Sequence, residues 1–145
     1  MSRQRSGGGA DRHLRIGEVA LRTELSVRTV RHYHDVGLVE PSARSVGGFR
    51  LYTEADVQRL LVIRRMRPLG FSLAQMKRLL DALDVFRGGA DAADATDAQR
   101  EHSRAVLTQC WEQTRDSAAR LRRHLAYADE LTDLLAGATA GTSDR

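Results

Sequence analysis

Arg28, Thr29, Arg31, His32 and Tyr33 crowd one short segment, and Arg44, Arg50, Tyr52 and Arg67 follow it. A guanidinium can form two parallel hydrogen bonds to a phosphate or to the O6/N7 edge of guanine, while hydroxyls and imidazoles add single contacts. Such a set suits non-covalent chemistry: gripping a polyanion and reading the edges of its bases. The other chemistries have little to work with. No glycine-rich phosphate loop, no nucleophile beside a base and no metal-ligand cluster is visible, so an enzyme is the weakest class. His32 and His34 lie two apart on a helix, so their side chains diverge. Cys110 is the only cysteine, which excludes a disulfide within the chain and fits a reducing cytosol. No cofactor and no metal is expected.

The charge distribution agrees with a polyanionic partner. The 145 residues carry a formal net charge of +4. Residues 1–85 hold 15 basic and 9 acidic side chains, and residues 86–145 hold 8 and 10. The positive charge therefore lies with the arginine-bearing segment, as phosphate binding requires. The N-terminus is polar and rich in glycine, with no signal-peptide pattern, and no apolar run approaches the roughly 20 residues of a membrane span. A cytoplasmic protein without a membrane partner is expected.

The arginines need elements to hold them. Ile16, Val19 and Ala20 are spaced as the inner face of a first short helix, about Ile16 to Arg22. Thr23-Glu24-Leu25 forms a turn. Ser26 is a suitable N-cap for a second helix, about Val27 to Asp35. Val27, Val30 and Tyr33 should face the core, which puts Arg28, Thr29, Arg31 and His32 outside. Gly37 fits the left-handed position that ends a helix. After Pro41, Ala43 to Tyr52 reads as a hairpin bent at Gly47-Gly48. Thr53 with Asp56, and Ser72 with Gln75, are capping boxes for two further helices separated by Pro68 and Gly70. Val57, Leu60 and Leu61 mark the inner face of the first. Leu73, Met76, Leu80 and Leu83 mark that of the second. The expected shape is a helix-turn-helix with a basic wing, in which the second helix enters the major groove by its N-terminal half. Arg28 and Thr29 then lie closest to base edges, Arg50 and Tyr52 clamp phosphates from the wing, and Arg44 and Arg67 are further candidates. Both Tyr33 and Tyr52 have a second reading as core aromatics with a solvated hydroxyl.

The C-terminal part has a different pattern. Leu107, Trp111, Thr114, Ala118, Leu121, Leu125 and Ala128 step by 4 and 3 in turn, a heptad seam. One helix cannot bury so narrow a stripe alone. The natural partner is the same helix of a second chain, the alternative being that it folds back on its own head. Cys110 is expected to be buried beside the coil, and Trp111 to pack in the seam. The resulting organisation is a disordered tail at 1–12, a DNA-binding domain at 13–85, a linker at 86–97, a dimerisation helix at 98–136 and a disordered tail at 137–145. Arg3, Arg5 and Arg12 belong to the first tail.

These motifs, in this order, resemble the MerR family of bacterial transcription regulators over about half of the chain, Leu14 to Leu83. The specific pieces are Ile16-Gly17-Glu18-Val19-Ala20, Ser26-Val27-Arg28-Thr29-Val30-Arg31-His32-Tyr33, Gly37-Leu38 with Pro41, Gly48-Phe49-Arg50-Leu51-Tyr52, and Leu69-Gly70-Phe71-Ser72-Leu73. Two positions depart from the family pattern. Glu24 occupies the usual turn glycine, which implies a strained or adjusted turn, and His32 stands where an aromatic is usual. The resemblance implies a mainly α fold: a winged helix-turn-helix domain followed by a long helix that pairs as an antiparallel coiled coil. It implies that Arg31 and Tyr33 help hold the DNA backbone. It also implies a homodimer on an inverted-repeat promoter site, distorting the DNA so that RNA polymerase engages both promoter elements. Metal-sensing and iron–sulfur members use several cysteines, a set this chain lacks. No separate effector-binding domain is expected. A small-molecule effector remains unidentified, with the junction of coil and head near Trp111 as its place if there is one. The rival reading is an architectural or partner-recruiting DNA-binding protein with little sequence preference.

Overall fold

The computed structural model describes residues 12–40, 43–44, 47–87 and 93–142. Residues 1–11 of the expected tail at 1–12, Pro41, the side chain of Arg44, residues 88–92 of the expected linker and residues 143–145 lie outside the described residues.

A two-residue strand, β1 (Leu14–Arg15), leads into α1 (Ile16–Thr23). Val19 and Ala20 of α1 are buried as their spacing predicts, and so is Thr23, whose hydroxyl donates to the Val19 carbonyl at 2.8 Å. That bond is what lets a polar side chain sit in the core. The helix stops because Glu24 adopts the left-handed region, φ 56°, ψ 29°. The Glu24 and Leu25 amides then reach back to α1 carbonyls, with Leu25 N to Ala20 O at 3.2 Å. A non-glycine residue there costs about 1 kcal/mol. Arg64 braces the turn, donating to the Thr23 carbonyl at 2.9 Å and to the Glu24 carboxylate at 3.0 Å. Glu24→Gly removes the strain together with the exposed ion pair, which is worth about 0–1 kcal/mol. Urea denaturation should therefore show a stability gain of no more than about 1 kcal/mol. A clear loss would mean that the Arg64 brace outweighs the strain.

The second helix, α2 (Val27–Asp35), begins at Ser26, whose hydroxyl accepts from the Thr29 amide at 3.0 Å. Its bounds agree with the sequence reading because both caps are encoded locally. Val30 and Tyr33 are buried, Val27 packs at the edge of the core, and Gly37 takes φ 83° as the chain turns away. The hairpin pairs β2 (Ala43–Arg44) with β3 (Arg50–Tyr52), Ala43 opposite Leu51 and Arg44 opposite Arg50, and Gly48 (φ 79°) lies in its bend. On its other side β3 pairs antiparallel with β1, so the sheet order is β1-β3-β2. Two residues cannot display alternation, which is why β1 was not legible in the sequence.

Both capping boxes form, Thr53 with Asp56 at α3 (Glu54–Met66) and Ser72 with Gln75 at α4 (Leu73–Phe86). A short 3₁₀ turn, Arg67–Leu69, carries Pro68 between them. Asp56 is buried. Burial pushes its carboxyl up, and the two Thr53 hydrogen bonds pull it back. Val57, Leu60 and Ile63 of α3 meet Val19, Val30, Leu38, Tyr52, Met76 and Leu80 in one core. Leu73 departs from the expected stripe. It lies on the surface at the first turn of α4, between the buried Phe71 and Met76, while Ala82 is buried.

The last helix, α5 (Asp97–Ala140), has 44 residues and is about 66 Å long. Thr96 and Gln99 form a third capping box, which starts it one residue before the expected position. The expected tail from Gly137 is corrected: the helix runs through Gly137 to Ala140. One glycine costs about 1 kcal/mol in a helix interior, and Ala136, Ala138 and Ala140 around it are the best helix formers. The N-terminal part of α5 packs on α4. Ser103, Val106 and Ser117 are buried there and Cys110 touches the core. This face is rotated by one residue from the predicted seam at Leu107, Trp111 and Ala118. The helix therefore has two working faces, one of which covers its own head.

Candidate nucleic-acid interface

The N-cap at Ser26 and the buried pair Val30 and Tyr33 fix the rotation of α2, so Arg28, Arg31 and His32 point outward and are exposed. Among the described residues no carboxylate pairs with Arg28 or Arg31. Other arginines are engaged in holding the head. Arg22 grips Glu54 with two bonds of 2.6 Å, and Arg59 ties the Leu38 carbonyl at 3.1 Å to Asp84 at 2.6 Å. Thr29 is half-buried, and its hydroxyl lies 2.8 Å from that of Ser26, so part of its bonding capacity serves the cap.

Of the two readings open for the tyrosines, both side chains take the core one. Tyr33 is 3% exposed and Tyr52 0%. The guanidinium of Arg67 lies over the Tyr33 ring, 5.8 Å from its centroid. Burial pushes the Tyr33 phenol up, with Arg67 opposing. Residues two apart on a strand share a face, so Arg50 and Tyr52 both turn toward the head. Tyr52 is swallowed by the core and Arg50 emerges at its rim, where it pairs with Asp35 at the end of α2 at 3.2 Å. The Tyr52 hydroxyl has no hydrogen-bond partner among the described residues. Burial pushes this phenol up, and the Arg50 guanidinium beside it opposes the shift. The Tyr33 ring thus backs Arg67, and the Tyr52 phenol lies beside the Arg50 guanidinium. Arg28, Thr29, His32 and Arg67 line one recess of about 460 Å³ with Tyr33 in its wall. Arg44 is the register partner of Arg50 in the backbone pairing of β2 with β3. Arg15, on the strand that could not be read from the sequence, is exposed beside this surface, near Arg31 and Arg50.

The seam residues of α5 are divided. Leu107 and Ala118 are half-buried, and Thr114 and Ala128 are exposed. Trp111 (61%), Leu121 (48%) and Leu125 (62%) are large apolar side chains open to solvent. Arg115 stacks on Trp111 at 5.0 Å.

Residues 14–83 match the family of MerR HTH regulatory proteins. The chain is also 39% identical over 95 residues to an HTH-type transcriptional regulator of Pseudomonas aeruginosa, a match covering 64% of this chain and 72% of that protein. The chain belongs to the MerR family. It is 50% identical over 66 residues to the transcriptional regulator ZntR of Escherichia coli K12, a match that covers 46% of this chain and spans about half of ZntR, 47%. Among solved structures it resembles HiNmlR, a MerR family regulator lacking the sensor domain, in complex with promoter DNA. The TM-score is 0.67 at 21% identity, over 89% of this chain and 94% of that one, which establishes a shared fold.

As a MerR-family chain it has one cysteine to offer, and that thiol is half-buried. Burial pushes the Cys110 pKa up, with Arg78 opposing, which disfavours the thiolate that metal binding or redox chemistry needs. Among the described residues no group of three His, Cys, Asp or Glu is arranged to hold a metal. No described helix is long and apolar enough to cross a membrane. ZntR and the Pseudomonas aeruginosa relative are both named as transcriptional regulators.

Proposed function

We propose that this MerR-family protein is a sequence-specific DNA-binding transcriptional regulator that acts as a homodimer on an inverted-repeat promoter site. The observation that carries the proposal is the outer face of α2. Arg28, Arg31 and His32 are exposed on a helix whose rotation is fixed by its cap and its core residues, with Arg50 and Arg67 on either flank. In this reading the N-terminal half of α2 lies in the major groove. Arg28 reads a guanine and Thr29 adds a neighbouring contact. Arg31, Arg44, Arg50 and Arg67 take phosphates, and His32 adds a polar contact. Tyr33 and Tyr52 act by backing Arg67 and Arg50. That HiNmlR, with the same fold, is bound to promoter DNA supports promoter DNA as the partner.

The exposed side chains Trp111, Leu121 and Leu125 meet the same face of a second chain, joined by Leu107, Thr114, Ala118 and Ala128. Two heads at the ends of such a coil read two half-sites. Distorting the DNA between them costs about 1–6 kcal/mol, which phosphate contacts on both sides offset. RNA polymerase is then affected indirectly, through the shape of the promoter. Arg28→Ala should lose about 1–3 kcal/mol and relax preference at one base position. Arg50→Ala should weaken all sequences alike and flatten the salt dependence. Binding titrations on selected and scrambled duplexes check both, and equal, sequence-independent losses from the two variants would contradict the division of labour. Uniform affinity of the unaltered protein for all sequences would favour an architectural role.

A further inference from the structure

A second cationic recess, of about 660 Å³, lies on the other flank of α2 from the one that holds Arg28 and Arg67. Its lining brings together Arg15 of β1, Arg31 of α2 and Arg50 of β3 from distant parts of the chain, along with Glu18 of α1 and Phe49. Strand register sets the arrangement. Arg15 pairs with Leu51, the neighbour of Arg50, and Leu14, beside it, is anchored in the core opposite Tyr52. Arg15 occupies the N-cap position of α1 but makes no capping bond, so its side chain is not consumed by the helix. The acidic groups nearby are already engaged: Glu18 with Arg12 at 3.2 Å and Asp35 with Arg50 at 3.2 Å.

A helix in the major groove has a phosphate backbone on each side of it. The two flanks of α2 each open onto a cationic recess, and the two recesses share no lining residue. We propose that the Arg15, Arg31 and Arg50 recess seats one backbone phosphate of bound DNA, opposite in strand to the phosphate held near Arg67, and that Arg15 is a phosphate-binding residue. This inference rests on the DNA-binding reading and adds to it the site on the second strand.

Fluorescence anisotropy of the full chain on a selected and a scrambled duplex, over a range of salt concentrations, tests it. Arg15→Gln should weaken both duplexes by the same factor, about 5- to 10-fold, and lower the slope of log affinity against log salt by about 0.9, the signature of one lost phosphate contact. Arg15→Lys should keep the slope, and Arg122→Gln, on exposed α5, should change nothing. A single neutral methylphosphonate moved along the DNA backbone should find one position that weakens the unaltered protein and leaves Arg15→Gln unaffected. Affinity and slope unchanged by Arg15→Gln, or the absence of such a position, overturns the inference while DNA binding by the unaltered protein stands. Failure of the unaltered protein to bind either duplex overturns the DNA-binding reading as well.

Discussion

Leu121→Asp will convert the protein from dimer to monomer in sedimentation at micromolar concentration. Leu121 lies in the exposed part of α5, between Trp111 and Leu125 in the seam, beyond the segment that packs on α4. An isolated carboxylate buried among apolar side chains loses its hydration without a partner, at a cost of at least about 2 kcal/mol. A two-fold dimer contains the substitution twice, so the association constant should fall on the order of a thousandfold. The head should be untouched, because Leu121 makes no part of its core. Circular dichroism will show most of the helix retained, while affinity for an inverted repeat falls toward that of one half-site. A sedimentation mass unchanged by Leu121→Asp would show that this face is not the interface.

Leu60→Ala will destabilise the head by about 3 kcal/mol and lower its melting temperature on the order of 15 °C. Leu60 is fully buried at the centre of α3, among the residues that join α1, α2 and the wing in one core. Truncation leaves a cavity, and the surrounding helices, held by caps and by the Arg22–Glu54 and Arg59–Asp84 pairs, have little freedom to close it. Leu60→Met keeps the volume and should cost under about 1.5 kcal/mol. The variant also tests the link from core to function. DNA binding should be close to normal well below the new melting point and vanish above it. If Leu60→Ala melts within a few degrees of the unaltered protein, the packing described for α3 is wrong.

The parts of this fold that could be read in the sequence are those written in local chemistry. Ser26, Thr53 and Ser72 each form the cap their side chains suit, Gly37 takes the left-handed conformation, and Pro68 falls in the turn that divides α3 from α4. Glu24 shows positive φ because the turn demands it, whatever residue is present. What could not be read depends on pairing between distant segments. β1 exists only because β3 lies beside it, and the arginine it carries was invisible until that register was known. The burial of Tyr52 follows from which face of the wing meets the head, a choice that alternation leaves open. The same holds for α5. Its heptads marked one apolar face, while the small residues Ser103, Cys110 and Ser117 gave no signal that a second face covers α4. Gly137 misled in the opposite direction, since a single glycine is weaker than the alanines around it.

The candidate site divides along the same line. The outward direction of Arg28, Arg31 and His32 was fixed by helical spacing. The grouping of Arg67 with Tyr33, of Arg50 with Asp35, and of Arg15 with both Arg31 and Arg50 is tertiary, and it emerges only once the elements are assembled.

Selection of bound sequences from a random DNA pool, at near-physiological salt, tests the central claim most directly. A dimer with an exposed arginine-bearing recognition helix in each head predicts an inverted repeat, with the Arg28 position readable as a guanine in each half-site. A pool that stays random after repeated rounds, despite measurable binding, would contradict a sequence-specific regulator.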